Sequence, residues 1–387
     1  MRRAGLALAA ALLLTAGQAW GDGGLCAGSR GSLGLSLSRY PHAGGTGGSV
    51  GRGELTWRCR ARLGRLRAGL GIRLARSAHG PTVVDLPGTY LRWRRGALAM
   101  EAGMRREVLG ALEAWQPLDV FNARDWTDGP WRFERLATPS LRIAWRPRPV
   151  LRLAVDWSPR TRVPVWPHGA ALRPYPLPLI QRRRFDRRGA VQLRADLSRG
   201  PVELALAFWR GPSREPLVRP APGLAALQPL FPALRQAAVA LSVAAGDVLV
   251  KIEAGRRWSG GVGYALGGAG IAWFQPSVAG GRASGTFLLE WYRDLRPGSQ
   301  PPVLFDRDLY VGYRLDLPGT ADARLQVGVI RDPRRGSTVW VAEGARRLGE
   351  RVTLVLAAEA YRAGMSDRAM SALDDDDRVL VEMRWHW

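Results

Sequence analysis

Apolar and polar residues alternate one for one over much of the chain. Leu55, Trp57, Cys59 and Ala61 are separated by Glu54, Thr56, Arg58 and Arg60. Leu66, Ala68, Leu70, Ile72 and Leu74 interleave with Arg67, Gly69, Gly71 and Arg73. Leu91 and Trp93 lie among Tyr90, Arg92 and Arg94, and Leu141, Ile143 and Trp145 among Arg142 and Ala144. Leu151, Leu153, Val155 and Trp157 take the same pattern with Arg152, Ala154 and Asp156. It returns at 189–198, 201–210, 247–257, 282–294, 307–316, 321–331 and 351–362, and the last nine residues, Val379–Trp387, repeat it. A period of two puts successive side chains on opposite faces. Strands of roughly 10 residues, apolar on one face and polar on the other, are what a tilted membrane-spanning sheet requires.

The connections carry a second pattern. Counting from 31–39, short links at 63–65, 95–97, 147–149, 199–201, 245–246, 275–281, 318–320 and 345–350 alternate with longer ones. The longer ones are 40–50, 77–88, 107–138, 159–188, 211–234, 295–306 and 363–376, with 258–261 and 332–336 as small members. Tight turns at one end and long loops at the other are the habit of transmembrane barrels, which close because lipid leaves no partner for an open sheet edge. The expected fold is all-β: a transmembrane antiparallel up-and-down β-barrel of about 18 strands over 31–387. The count falls to 16 if the glycine- and alanine-rich segments 262–273 and 336–344 do not form strands.

Residues 1–19 read as a signal peptide, with Arg2 and Arg3 ahead of the apolar run Ala4 to Leu14 and a small-x-small site at Gly17-Gln18-Ala19. Residues 20–30 then form a short periplasmic N-terminal segment. Gly23, Gly24 and Leu25 before Cys26 do not fit a lipoprotein signal, so an exported, non-lipidated chain is expected. After residue 19 no uninterrupted apolar stretch approaches the ~20 residues of a membrane helix. The terminal strand ends on Trp385 and Trp387 of its apolar face. That resembles the C-terminal signal by which outer-membrane barrels of Gram-negative bacteria are recognised by their assembly machinery. The resemblance implies location in the outer membrane, in contact with its lipid and lipopolysaccharide.

Charge narrows the function. The chain holds 57 basic and 33 acidic residues, a net +24, and Lys251 is the sole lysine. Such a balance suits nucleic acid, but export and the even spread of the arginines argue against it, so no nucleic-acid partner is expected. The four histidines, His42, His79, His168 and His386, are scattered, and no Ser–His–acid grouping or Cys/His spacing suggests catalysis or a metal. Neither an enzyme nor a cofactor is expected. Cys26 and Cys59 both fall near the periplasmic rim on neighbouring strands, where a disulfide is permitted; two unpaired thiols remain the alternative.

The link 107–138 is long for a structureless loop. It opens on a candidate helical turn (Leu109 to Trp115) and continues through Asp119, Asn122, Arg124, Asp125, Trp126, Asp128 and Arg132. Folded inward, it would narrow the lumen and set Asp119 and Asp125 against a basic wall; a surface loop with turn-capping polar residues is the alternative. Trp115, Pro117, Asp119, Asn122, Arg124 and Asp125, followed by Pro139, Leu141 and Arg142, resemble a Trp-x-Pro-x-Asp…Asn-Pro-Arg-Asp segment. That segment belongs to a family of proteobacterial outer-membrane porin-like proteins of largely uncharacterised function. Ala123 stands where the family has proline, and the likeness covers roughly 100–167. A more distant likeness is to alginate-export barrels, with an arginine-rich lumen. Both imply fold more than substrate.

The link 159–188 is proline-rich and ends in Arg182, Arg183, Arg184, Arg187 and Arg188, a stiff basic loop able to attract anions or lipopolysaccharide phosphates. The run Asp374 to Asp377 either binds a divalent cation or forms a hydrated turn. Alternation points Arg58, Arg60, Arg67, Arg73, Arg92, Arg94, Arg105, Arg142, Arg152, Arg194, Arg314, Arg324 and Arg384 into the lumen, with fewer acids, Glu253 and Glu290 among them. A positive wall in a narrow pore favours anions. The expected function is a porin-like channel for small hydrophilic, preferentially anionic solutes. Two alternatives stay open: a secretion pore for an anionic polysaccharide, and a structural or partner-binding barrel plugged by its loops.

Overall fold

The computed structural model describes residues 26, 29–41, 48–78, 80–167, 177, 179–180, 184–223, 225–319 and 322–387. The expected signal peptide, His42, His79, His168, Arg182 and Arg183 lie outside the described residues.

One antiparallel sheet closes on itself. Its strands are β1 (Arg30–Tyr40), β2 (Gly48–Leu63), β3 (Leu66–Ser77), β4 (Thr82–Asp85 and, after a break, Tyr90–Arg95), β5 (Leu98–Arg105) and β6 (Thr138–Arg148). They continue as β7 (Leu151–Ser158), β8 (Ala190–Arg199), β9 (Val202–Pro212), β10 (Ala233–Ala245), β11 (Val248–Ser259) and β12 (Val262–Val278). The last six are β13 (Ala283–Asp294), β14 (Leu309–Leu317), β15 (Ala323–Arg331), β16 (Thr338–Leu348), β17 (Val352–Arg362) and β18 (Arg378–His386). The sheet's 19 hydrogen-bonded segments make eighteen strands, because β4 is in two pieces. Each strand pairs with its sequence neighbours, and β1 pairs with β18 from Ser32↔His386 to Arg39↔Val379. No edge is left open, as lipid demands. The seam is finished by Gly31 and Trp387, each donating its N–H to the other's carbonyl (3.0 and 3.1 Å).

Both segments that read as weak are strands, 262–278 and 338–348, so the count is eighteen rather than 16. The link expected at 77–88 is in part wall: Thr82–Asp85 pairs with β3 before the chain breaks away at Leu86–Thr89. Pro87 has no N–H to give the ladder, and a side chain on Gly71 would meet the Pro87 carbonyl at 1.8 Å. The Thr89 hydroxyl bridges the gap, donating to the Gly71 carbonyl (3.0 Å) and accepting from its N–H (3.1 Å).

The apolar half of each alternating run faces outward. Leu35, Leu37, Leu91, Trp145, Trp157, Leu206, Trp273, Trp291, Leu356 and Val381 all stand 46–57 % exposed. In water such a continuous belt would be untenable; around a barrel it is the lipid-facing band, with tryptophans near both rims. The barrel is also filled. Beneath β12 to β17 lies an apolar core of Leu112, Trp115, Leu288, Tyr292, Phe305, Tyr310, Ile330, Val339 and Tyr361, where wall residues meet inserted loop. Cys26 and Cys59 are joined by a disulfide, with Cα atoms 5.2 Å apart.

Candidate functional site: the lumen and its inserted loop

The segment 106–137 turns into the barrel and touches almost the whole circumference. Ala123 and Leu136 pack with Ala75 and Val83 of β3 and β4; Val120 and Phe121 with Trp209 and Leu234 of β9 and β10; Leu109 and Leu118 with Ala240 and Leu266 of β10 and β12. The wall beneath it is bare. A side chain on Gly268 or Gly270 would meet Leu112 at 2.7 or 3.0 Å, so the glycines that weakened this strand in the sequence are the seat for the loop.

No helical turn forms at 109–115. The backbone N–H groups that would start one are donated to the wall. Ala111 and Leu112 give theirs to Glu253 (2.7 Å for Leu112), Glu113 and Ala114 to Glu290 (2.7 and 3.0 Å), and Trp115 to the Tyr292 hydroxyl (3.1 Å). Gly110 approaches at φ +141°, where a side chain would strike Glu253 at 2.7 Å. Lys251 (2.6 Å) and Arg314 hold the Glu113 carboxylate. Glu253 and Glu290 were assigned inward from sequence, but nothing in their spacing, or in that of Lys251 and Tyr292, linked them to residues over a hundred positions earlier.

The expected constriction residues fall inside this loop. Asn122 closes its base, giving its amide to the Arg105 and Leu136 carbonyls (3.0 and 2.9 Å) and accepting from the Glu107 N–H (2.7 Å). Asp125 meets the wall at Arg73 (3.1 Å) and Arg52 (3.7 Å). Asp119 does not: its partner is Arg135 of the same loop (2.6 Å). Arg124 lies over Trp115 and Phe133, 4.4 Å from each ring centre.

The lumen arginines divide in two. Arg105, Arg142 and Arg194 converge on Glu107 (2.6, 2.8 and 2.8 Å), and Arg73 on Asp125 and Glu54. Arg92 pairs with Glu101, Arg314 with Glu113, Arg324 with Asp316 (2.6 Å) and Arg384 with Glu382 (2.5 Å). The acidic loop and the basic wall expected to face each other are thus largely joined by direct ion pairs. Arg58, Arg60, Arg67, Arg94 and Arg152 have no carboxylate partner among the described residues, and all lie toward the end of the barrel that carries the short turns. A cavity of ≈ 340 Å³ on that side is lined by six arginines (92, 94, 105, 142, 146 and 152) against one acid, Glu101.

The acidic run before β18 opens in a turn, and two of its carboxylates are taken up by the end of β17. Asp374 accepts the Ala363 N–H, and Asp377 takes the Tyr361 N–H (2.9 Å) and Arg362 (2.8 Å). Arg188 of the basic loop is bound to Asp186 (2.5 Å).

No family model matches this sequence, and no curated protein does. Among solved structures it is similar to Pseudomonas aeruginosa OccK8 (OprE), with a TM-score of 0.54, 8 % identity, and 94 % of this chain and 99 % of that one covered. P. aeruginosa OpdQ gives 0.54 at 6 % identity over 93 % and 96 %, and OccK2 (OpdF) gives 0.53 at 12 % over 93 % and 97 %. What is shared at these identities is the porin-like barrel.

Proposed function

We propose that the chain is an outer-membrane channel for small hydrophilic solutes that prefers anions. The observation that carries this is the set of lumen-facing arginines at the periplasmic mouth without carboxylate partners, beside a small cavity. A guanidinium not matched by a carboxylate offers a passing anion two parallel hydrogen bonds and a charge that a narrow, partly dehydrated space screens poorly. The lipid-facing belt and the terminal Trp385 and Trp387 fit contact with outer-membrane lipid and with the barrel-assembly machinery. The basic outer loop fits lipopolysaccharide phosphate.

Reversal potentials across a planar bilayer in a KCl gradient test the reading. The unmodified barrel is expected to prefer chloride, and joint replacement of Arg58, Arg60, Arg67, Arg94 and Arg152 by Ala to abolish the preference. Cation preference in the unmodified protein refutes it. The breadth of wall contacts made by loop 106–137 favours one other reading, a plugged barrel that binds a partner; a chain with no conductance until that loop is displaced would support it. Export of a polysaccharide would require the loop to leave the lumen.

A further inference from the structure

At the end of the barrel that carries the long loops, β9, β10 and β11 turn three arginines outward. Trp209, Leu234, Gln236 and Arg257 point into the lumen and are buried, so Arg210, Arg235 and Arg256, one position away, stand exposed on the lipid side. Arg210 and Arg235 are directly opposite each other in the ladder, and Trp258 is directly opposite Arg235 on its other side. The Arg256 guanidinium lies 5.7 Å from the Trp258 ring centre. None of the three arginines has a hydrogen bond or a carboxylate partner among the described residues, and no acid occupies an outward position on these strands. Other outward arginines at this end face uncharged neighbours: Arg39 is opposite Val379 and Ser49, and Arg331 opposite Leu309 and Thr338. Directly below the Arg210–Arg235 pair, at Phe208 and Ala237, begins an apolar groove of ≈ 670 Å³ in the lipid-facing wall. Trp145, Val155, Leu193 and Phe208 form its sides, with Ala195 and Ala237 as its floor.

We propose that this face binds lipopolysaccharide, with a lipid A phosphate held between Arg210 and Arg235, Arg256 beside it, and an acyl chain in the groove below. Like charges directly opposite on one face of a sheet repel, and here the strands are only about 4.8 Å apart. An anion between the two guanidinium groups turns that repulsion into two charge-assisted contacts, and the planar fork of each matches a phosphate. The long-loop end is the outer one in transmembrane barrels, which places the pair level with the phosphates of the outer leaflet. Lipid tails are as apolar as the groove itself, so the groove supplies fit and the arginines supply the preference. A phosphate monoester, as on lipid A, carries nearly two charges at neutral pH; the diester of a glycerophospholipid carries one and is the weaker ligand. In the basic loop 159–188, by contrast, Arg188 is already bound to Asp186. This site depends on the outer-membrane location and not on conduction.

Native mass spectrometry of the barrel, refolded free of lipopolysaccharide in a neutral detergent, tests it with bisphosphorylated lipid A, dephosphorylated lipid A and phosphatidylglycerol as probes. The first is expected to be retained at least tenfold more tightly than the other two. Arg210→Gln combined with Arg235→Gln should weaken lipid A at least tenfold. Ala237→Phe, which fills the top of the groove and leaves the arginines in place, should weaken it at least threefold. Arg39→Gln, on the opposite wall, should leave it unchanged. Heat-modifiable gel mobility shows which variants are folded, and if the double variant does not fold, Ala237→Phe decides. No retention of lipid A by the unmodified barrel, or equal retention of either other probe, overturns the proposal. So does undiminished retention by the folded double variant or by Ala237→Phe, or an equal loss in Arg39→Gln. Chloride selectivity in the same preparation reports separately on the channel, so a conducting barrel that ignores lipid A loses only this site.

Discussion

The attachment of the inserted loop to the far wall sets up a quantitative test. Glu253 and Glu290 together accept four backbone N–H groups from residues 111–114. Hydrogen bonds to a charged acceptor contribute roughly 1.5–3 kcal/mol each, so the four supply on the order of 6–12 kcal/mol before coupling. Burial of Leu112 and Trp115 adds about 1.5–3 kcal/mol apiece. Against this stands the ordering of residues 111–115, at roughly 1–2 kcal/mol each. Removing one carboxylate leaves roughly 6–12 kcal/mol of attachment against about 5–10 of ordering; removing both leaves about 3–6 against the same cost, so the segment is released. Glu253→Ala and Glu290→Ala alone should therefore keep the wild-type single-channel conductance in a planar bilayer. The double variant should show a larger, noisier conductance as the tip leaves its seat. A folded double variant with unchanged conductance refutes the claim that these carboxylates hold the loop.

Four further outcomes follow from the structure. Burial, with Asp332, Asp306 and Asp367 nearby, pushes the Asp308 carboxyl up to about 7. The native state keeps a proton the unfolded chain releases, so this group's contribution is intact below about pH 4 and is lost as pH rises to about 7, up to ~4 kcal/mol. Asp308→Asn should flatten the pH dependence of urea unfolding between about pH 4 and 7, and an unchanged slope contradicts this. Leu206→Arg, on the lipid face and 49 % exposed, should cost roughly 2–4 kcal/mol at mid-membrane depth, while Arg152→Leu on the lumen face costs little; equal losses would reverse the face assignment. The Cys26–Cys59 bond, spanning 33 positions, should stabilise the barrel by about 2–4 kcal/mol, with a lower unfolding midpoint after reduction. Gly270→Leu should displace Leu112 and raise conductance as the double carboxylate variant does; a normal channel would deny Gly270 its role as seat.

Strand order, strand number and the alternation of turns with loops were legible, because a two-sided strand writes its environment into every second residue. Legibility faded where both faces are apolar. Leu266 and Ala272 point inward from β12, and Val339 and Val341 from β16, against Leu112, Leu118 and other loop residues. There the contrast between lipid and lumen vanishes. The helical turn expected at Leu109 to Trp115 failed for a related reason. Its N–H groups found acceptors on strands distant in sequence, which no local pattern records. Asp119 was assigned to the wall by charge alone, and its nearer partner Arg135 won.

The two-faced strands have a consequence for register. A one-residue slip of an ordinary barrel strand turns its polar face to lipid and is heavily penalised. Along the outer half of β12 to β17 a slip would exchange one apolar face for another, and hydrophobicity alone would barely object. What does object is the inserted loop. Glu253, Glu290 and Tyr292 meet consecutive N–H groups of 111–115 only if β11 and β13 stand at one height. Arg132 and Asp128 set β18 in the same way through Glu382 and Arg378. A segment from the first third of the chain thus serves as the gauge against which the later strands are aligned.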